Sequence, residues 1–209
     1  GDLMKKILTT PVTAEDIKDL RIGDIIYLTG CLVTGRDDVH HRVVHEHMKC
    51  PVDFKNIAIF HAGPIIKESP EHNEMISIGP TSSIRMEADA AEFIKETGVR
   101  IMVGKGGMGE KTAKACKELN AIHCVFPGGC AVLAATMVEE IEDVYWRELG
   151  MPECLWVMKV KEFGPLIVSI DTEGNNLFLD NKAYYASQKE ACEKPIIESV
   201  KDYQKIEVQ

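Results

Sequence analysis

The chain has 209 residues, 45% of them hydrophobic, and a formal charge of −9. That length supports a sizeable core and that composition argues against disorder. The acidic balance argues against a general nucleic-acid or anionic-membrane binder, whose grip depends on clustered Lys and Arg. Any anionic ligand must therefore be caught by a few local cations.

No apolar run approaches the roughly 18 residues of a membrane span. The start, GDLMKKILTT, leads at once into Pro11 and a polar stretch, so no signal peptide is expected and the chain reads as cytoplasmic. Seven cysteines are scattered without a C-x-x-C pair. They read as reduced thiols, mostly small core residues, although a sequence-distant metal or cluster ligand stays open.

In chain order, Thr13 to Leu20 predicts a short helix, with Thr13 as N-cap and Asp16 as the acid of a capping box. Gly23-Asp24 predicts a turn. Two strands are expected at Ile25–Thr29 and Leu32–Thr34, the second ending at Gly35-Arg36-Asp37, and another from Ile57 to His61 before Ala62-Gly63-Pro64.

From Met75 to about Asp143 a short apolar run leads three times through a Gly-containing loop into an amphipathic helix, which is βαβ punctuation. Ile76–Ile78 passes through Gly79-Pro80-Thr81-Ser82-Ser83 into a helix closed by Gly98. Val99–Val103 passes through Gly104-Lys105-Gly106-Gly107-Met108-Gly109 into a helix closed by Asn120. Ile122–Phe126 passes through Pro127-Gly128-Gly129 into a helix ending near Glu142. Strands then return at Leu155–Val160 and Leu166–Ile170, with Glu173–Asn176 as a turn before Leu177–Leu179, and the last twenty-odd residues read as helical. No linker divides the chain. The expectation is one α/β domain over 1–209, with a parallel βαβαβ centre and flanking, antiparallel β elements.

Ligands of open α/β sheets bind beyond the carboxyl ends of the strands. That rule gathers Thr81 and Arg85, Lys105, and Gly128-Gly129, with Arg36 brought in from an earlier strand end. Two guanidiniums, one ammonium and glycine-bared N–H groups suit a small molecule with two carboxylates. The plain alternative is that Arg36 and Arg85 are surface residues in loose ion pairs. Lys105, between Gly104 and Gly106, is the more specific signal.

Gly104, Gly106 and Gly109 also match G-x-G-x-x-G, which leaves an NAD(P)-binding dehydrogenase-type domain as a competitor. The ribose-binding acid is missing from the end of the next strand, Val125-Phe126-Pro127, and a Walker loop is out of register at Glu110. His40, His41, His45 and His47 suggest a metal site, but H-E-x-x-H is absent and a solvated polar stretch is the preferred reading. No G-x-S-x-G elbow or Cys–His signature appears. A non-catalytic binding protein of the same fold is the third reading.

Taken together, Thr34-Gly35-Arg36-Asp37 with His40, His61-Ala62-Gly63-Pro64, Gly79-Pro80-Thr81-Ser82-Ser83-Ile84-Arg85-Met86 and Gly104-Lys105-Gly106 resemble the β subunit of two-subunit class I iron–sulfur fumarases and L-tartrate dehydratases. This β subunit is equivalent to the C-terminal domain of the one-chain enzymes. The resemblance runs from about residue 7 to 180.

It implies a swivelling β/β/α domain and a hydro-lyase interconverting fumarate and malate in the first place, or L-tartrate and oxaloacetate in the second, as a hetero-oligomer. An α subunit would carry a four-iron four-sulfur cluster whose open iron acts as a Lewis acid; this chain would hold no metal itself. Arg36, Arg85 and Lys105 match the family's carboxylate clamp, with Gly104 beside them. Thr81, assisted by Lys105, matches the residue that moves the C3 proton. A threonine hydroxyl is a poor base and needs neighbouring cations or a relay. Ser82 and the bulkier Ile84 depart from the family's Thr-Thr-Ser wording, which leaves the substrate open.

Overall fold

The computed structural model describes residues 6–201, the side chain of Glu190 excepted. The chain divides into one compact unit ending at Leu177 and a second beginning at Phe178.

In the first unit, β1 (Lys6–Thr9), β2 (Ile25–Thr34), β3 (Ala58–Phe60), β6 (Ile101–Gly104) and β7 (Ile122–Val125) form consecutive parallel pairs. The long β9 (Leu155–Ile170) runs antiparallel to β7, and also to β2, so the sheet closes on itself. A separate two-stranded antiparallel sheet is made of β4 (Ala62–Lys67) and β5 (Glu74–Pro80).

Strand alternation divides the interior. Ala58 and Phe60, Ile101 and Val103, Leu28 and Phe163 join one apolar cluster, while the intervening Ile59 and Met102 join a second. The second cluster takes in Val39 and Val43 of α2 (Asp37–Val44), Phe93 and Ile94 of α3 (Ala90–Thr97), and Ala113 and Cys116 of α4 (Glu110–Leu119). Strands buried on both faces read as continuous apolar runs, which is why their alternation is hard to see in the sequence.

The expected caps are present. Helix α1 (Ala14–Ile17) carries the reciprocal Thr13–Asp16 capping box. Gly98 and Asn120 close α3 and α4 with φ of 70° and 53°.

Several expectations need correction. The two runs at 25–34 form one strand: Gly30, at φ 103°, makes no turn, and a Cβ there would stand 2.6 Å from Thr10 Oγ1. Ala62-Gly63-Pro64 opens β4 rather than ending β3. The strand at 76–78 belongs to the antiparallel pair β4–β5, so the parallel centre is β3, β6 and β7 with α3 and α4 as crossovers.

The third helix, α5 (Ala131–Thr136), stops early, and residues 138–145 are the edge strand β8 (Val138–Tyr145) on β9. Val138, Ile141 and Val144 are spaced as on a helix. Two register shifts in the β8–β9 ladder let residues three apart pack against the same cluster. The two strands expected at 155–170 are the single β9.

The described part of the second unit is formed by the helix α6 (Leu177–Val200) from Phe178 onward, with Pro195 inside it. Leu177–Leu179 therefore opens a helix and not a strand, and the helical expectation for 202–209 lies outside the described residues. Among the described residues, no helix is long and apolar enough to cross a membrane.

Candidate active site

The turn after β5 is stitched to the end of β6. Thr81 N–H donates to the His61 carbonyl at 2.7 Å, Lys105 N–H to the Thr81 carbonyl at 3.0 Å, and Ser83 N–H to the Lys105 carbonyl at 3.0 Å. A single 3₁₀ turn, Ser83–Met86, follows, and Arg85 Nη1 donates to Thr81 Oγ1 at 3.4 Å. A Cβ on Gly128 would lie 3.9 Å from Lys105 Cδ, so the lysine stem runs past the third loop. Arg36, just before α2, lies over Gly63, where a Cβ would meet its Nη1 at 2.6 Å.

Each arginine already holds a carboxylate of this chain. Arg36 Nη2 lies 2.6 Å from Glu153 Oε1, and both are largely screened from solvent. Burial pushes the Glu153 carboxyl above the ordinary range, with Arg36 opposing. Arg85 grips Asp37 in a fork, through Nε at 3.1 Å and Nη2 at 2.5 Å. The loose-pair alternative thus describes part of what is seen. The ammonium of Lys105 is exposed and has no carboxylate partner within 4.0 Å among the described residues.

Gly104 is buried beneath this layer. A Cβ there would stand 1.9 Å from Ser83 Oγ and 3.1 Å from His61 Nδ1, so the glycine is required by packing. The G-x-G-x-x-G loop does not present a free helix N-terminus. Glu87 fills it, accepting from Gly109 N at 2.7 Å, Lys111 N at 3.1 Å, Thr112 N at 3.3 Å and Thr112 Oγ1 at 2.6 Å. An anion-binding helix end occupied by the chain's own carboxylate repels a pyrophosphate, which counts against the nucleotide reading.

The fumarase C-terminus family model matches residues 3–181. The chain belongs to this family. It is 57% identical over 197 residues to the L(+)-tartrate dehydratase subunit beta of Escherichia coli strain K12, covering 94% of this chain and 96% of that one. It is 41% identical over 184 residues, 86% of this chain and 94% of the other, to a putative L(+)-tartrate dehydratase subunit beta of Methanocaldococcus jannaschii. A putative class I fumarate hydratase of Geobacillus stearothermophilus is 37% identical over 182 residues, 86% of this chain but 35% of that protein.

In this fumarase C-terminus chain the four-histidine stretch is not one solvated run. His41 is exposed and His45 bonds Asp89 at 2.8 Å, but His40 is fully buried, stacked on Phe93 with centroids 4.2 Å apart. It is joined in the interior by His61, His123, Ser83 and Ser169, all at 0% exposure. Of these, the sequence reading gave His61 and Ser83 only as parts of motifs and passed over His123 and Ser169. The signal available was an imidazole inside an apolar strand, Ile122-His123-Cys124-Val125, because a buried polar side chain requires a partner elsewhere. Burial depresses His40, takes His61 well below the ordinary imidazole range, and lowers His123 to about 3.

Among the described residues no group of three or more His, Cys, Asp or Glu side chains is placed to hold a metal. The thiols of Cys116 and Cys124 are buried and pushed upward, the opposite of what thiolate ligation needs.

Proposed function

We propose that this chain is the β subunit of a hydro-lyase that removes water from a small dicarboxylic acid, L-tartrate before fumarate or malate. The observation that carries the reading is the Arg85 guanidinium on Thr81 Oγ1, in a turn whose Thr81 carbonyl is held by the Lys105 N–H. A chain 57% identical to it bears the name of a tartrate dehydratase subunit beta. That likeness reverses the order of substrates expected from the sequence, in which fumarate came first.

On this reading Arg36 and Arg85 exchange Glu153 and Asp37 for the two substrate carboxylates, and Lys105 adds the third charge. The Arg85–Asp37 pair is the easier to exchange, because it is half-exposed and such pairs contribute only about 0–1 kcal/mol, whereas Arg36–Glu153 is more screened from solvent. Thr81 Oγ1 takes the C3 proton as an alkoxide, its own hydroxyl proton having passed to a group on the partner subunit. The Arg85 guanidinium, 3.4 Å away, stabilises that alkoxide before the transfer, and Lys105 adds positive field from the neighbouring loop. Gly104 supports the layer from below.

The cysteines of this chain do not suit a four-iron four-sulfur cluster, and the reading assigns that group to a partner α subunit. Support comes from the class I fumarate hydratase relative, in which the match covers 35% of the protein and leaves the rest for another domain. We also infer the family's swivelling β/β/α layering for the first unit, and a cytoplasmic location, which the seven free cysteines support.

The test is anaerobic co-expression with the α subunit, followed by assays across L-tartrate, malate and fumarate. Turnover of L-tartrate in the assembled protein is the expected result. An assembled, iron-loaded complex inert toward all three acids overturns the reading.

A further inference from the structure

Five buried side chains form a run behind the site. Ser169 Oγ lies 2.6 Å from His123 Nδ1, His123 Nε2 lies 2.9 Å from Ser83 Oγ, and Ser83 Oγ lies 2.9 Å from His61 Nδ1. His61 meets His40 edge-on with centroids 5.3 Å apart, and His40 Nδ1 lies 2.8 Å from the Arg36 carbonyl oxygen. Two ring nitrogens in this run, His40 Nε2 and His61 Nε2, are buried with no hydrogen-bond partner among the described residues.

Counting protons fixes the direction of the run. A carbonyl only accepts, so His40 carries its proton on Nδ1 and its Nε2 is a bare lone pair. Ser169 has one hydroxyl proton to give. If it goes to the His123 carbonyl, 3.1 Å away, His123 must be protonated at Nδ1 and His61 at Nδ1 as well. His61 Nε2 is then a second bare acceptor beside the first. If the proton goes instead to His123 Nδ1, at 2.6 Å, every bond reverses and His61 carries its proton on Nε2.

The reversal gives up one long contact to a carbonyl in a strand paired on both sides. In return it makes His61 Nε2 a donor beside a ring whose Nε2 lacks one, the two rings standing edge-on with centroids 5.3 Å apart and not hydrogen-bonded as placed. Leaving two buried acceptors together without a donor is the larger penalty.

We infer that the run has one proton direction, from Ser169 through His123, Ser83, His61 and His40 to the Arg36 carbonyl, and that it positions the Arg36 loop and the Thr81–Arg85 turn for the proposed reaction. A small ring rotation or one buried water closes the His61–His40 link. The desolvation that lowers all three imidazoles keeps them neutral, as the count requires.

The geometry ties the run to both sides of the site. Ser83 Oγ is pressed onto Gly104, His61 supplies the carbonyl that holds Thr81 N–H, and Gly63, two residues on, lies under Arg36. These are positioning residues, buried under the layer that would meet the substrate.

The tautomers are readable without any variant and without the partner. In the full chain with 15N-labelled histidine, long-range 1H–15N correlations at neutral pH should show His61 and His123 as neutral Nε2–H and His40 as neutral Nδ1–H. An Nδ1–H tautomer at His61, or an imidazolium at any of the three, overturns the direction.

The positioning role rests on the hydro-lyase reading and is tested in the assembled enzyme. His123→Gln keeps a donor toward Ser83 and His123→Leu removes it. The leucine variant should lose about tenfold or more in kcat with KM within about threefold, and the glutamine variant should recover most of that loss. An unchanged kcat in the leucine variant, or no recovery by glutamine in a folded protein, sinks the role. Inactivity of the wild-type complex on every dicarboxylate sinks the hydro-lyase reading and leaves the tautomer result standing.

Discussion

Arg85 and Ser83 are two residues apart on one turn, yet the polar clusters to which they belong are built differently. Around Arg85 the groups are charged and partly exposed, the arginine paired with a carboxylate that solvent or a ligand can replace and the ammonium of Lys105 left to solvent. Around Ser83 they are neutral, fully buried and bonded to one another and to backbone carbonyls. The first cluster is held weakly enough to exchange partners on binding. The second is held by the cost of leaving any member unpaired, so it fixes geometry and takes no ligand. The difference separates residues expected to affect turnover from those expected to affect stability as well.

Lys105→Ala and Arg85→Ala attack the exchangeable cluster and should show the largest effect. Each should lower kcat/KM of the assembled enzyme by about 10²-fold or more while leaving the melting temperature of this subunit nearly unchanged. Wild-type rates in either variant contradict the site assignment.

Gly104→Ala crosses between the clusters, because its methyl would stand 1.9 Å from Ser83 Oγ. We expect a loss of about 1–3 kcal/mol in stability together with a fall in activity, measured by denaturant unfolding and by assay. A neutral result would show that Ser83 is free to move.

The buried imidazoles also set a pH dependence. The folded state holds His123 at about 3, below its ordinary value near 6.5, so the unfolded chain binds the extra proton between those limits. Stability from this group is fully present above about pH 6.5 and is lost as pH falls, by up to roughly 1.4 kcal/mol per pH unit. Thermal melts of the wild type and of His123→Gln from pH 7 to 5 should diverge, with the shallower slope in the variant. Parallel curves contradict a buried neutral imidazole.

The smallest effect belongs to Asp37→Asn, which removes the carboxylate that occupies Arg85. Because that pair is half-exposed, stability should change by less than about 1 kcal/mol, while KM falls severalfold. A raised KM would assign Asp37 to substrate binding rather than to competition with it.

What the sequence revealed follows the range of the interactions concerned. The Thr13–Asp16 box and the closures at Gly98 and Asn120 are local, and local chemistry decided them. The strand-end rule grouped Thr81 and Arg85 with Lys105 on the expectation of a shared parallel sheet, whereas β5 lies outside that sheet and the turn after it meets Lys105 through backbone hydrogen bonds. Strand β8 was not legible, since its threefold spacing becomes one-sided only through register shifts against β9. The imidazole run was hidden for a related reason. His40, His61 and His123 come from a helix, a strand end and another strand, and each is unremarkable until the fold closes around it. Glu87, which fills the end of α4, likewise lies 22 residues before the Gly109 amide that it holds.

The most direct test of the central claim is the rate of oxaloacetate formation from L-tartrate by the assembled enzyme carrying Thr81→Ser or Thr81→Val. The account predicts that serine, which keeps the hydroxyl beside Arg85, retains measurable turnover. Valine, with the same shape and no hydroxyl, should lose about 10²-fold or more. A valine variant as active as the wild type would contradict the claim that this chain carries the proton.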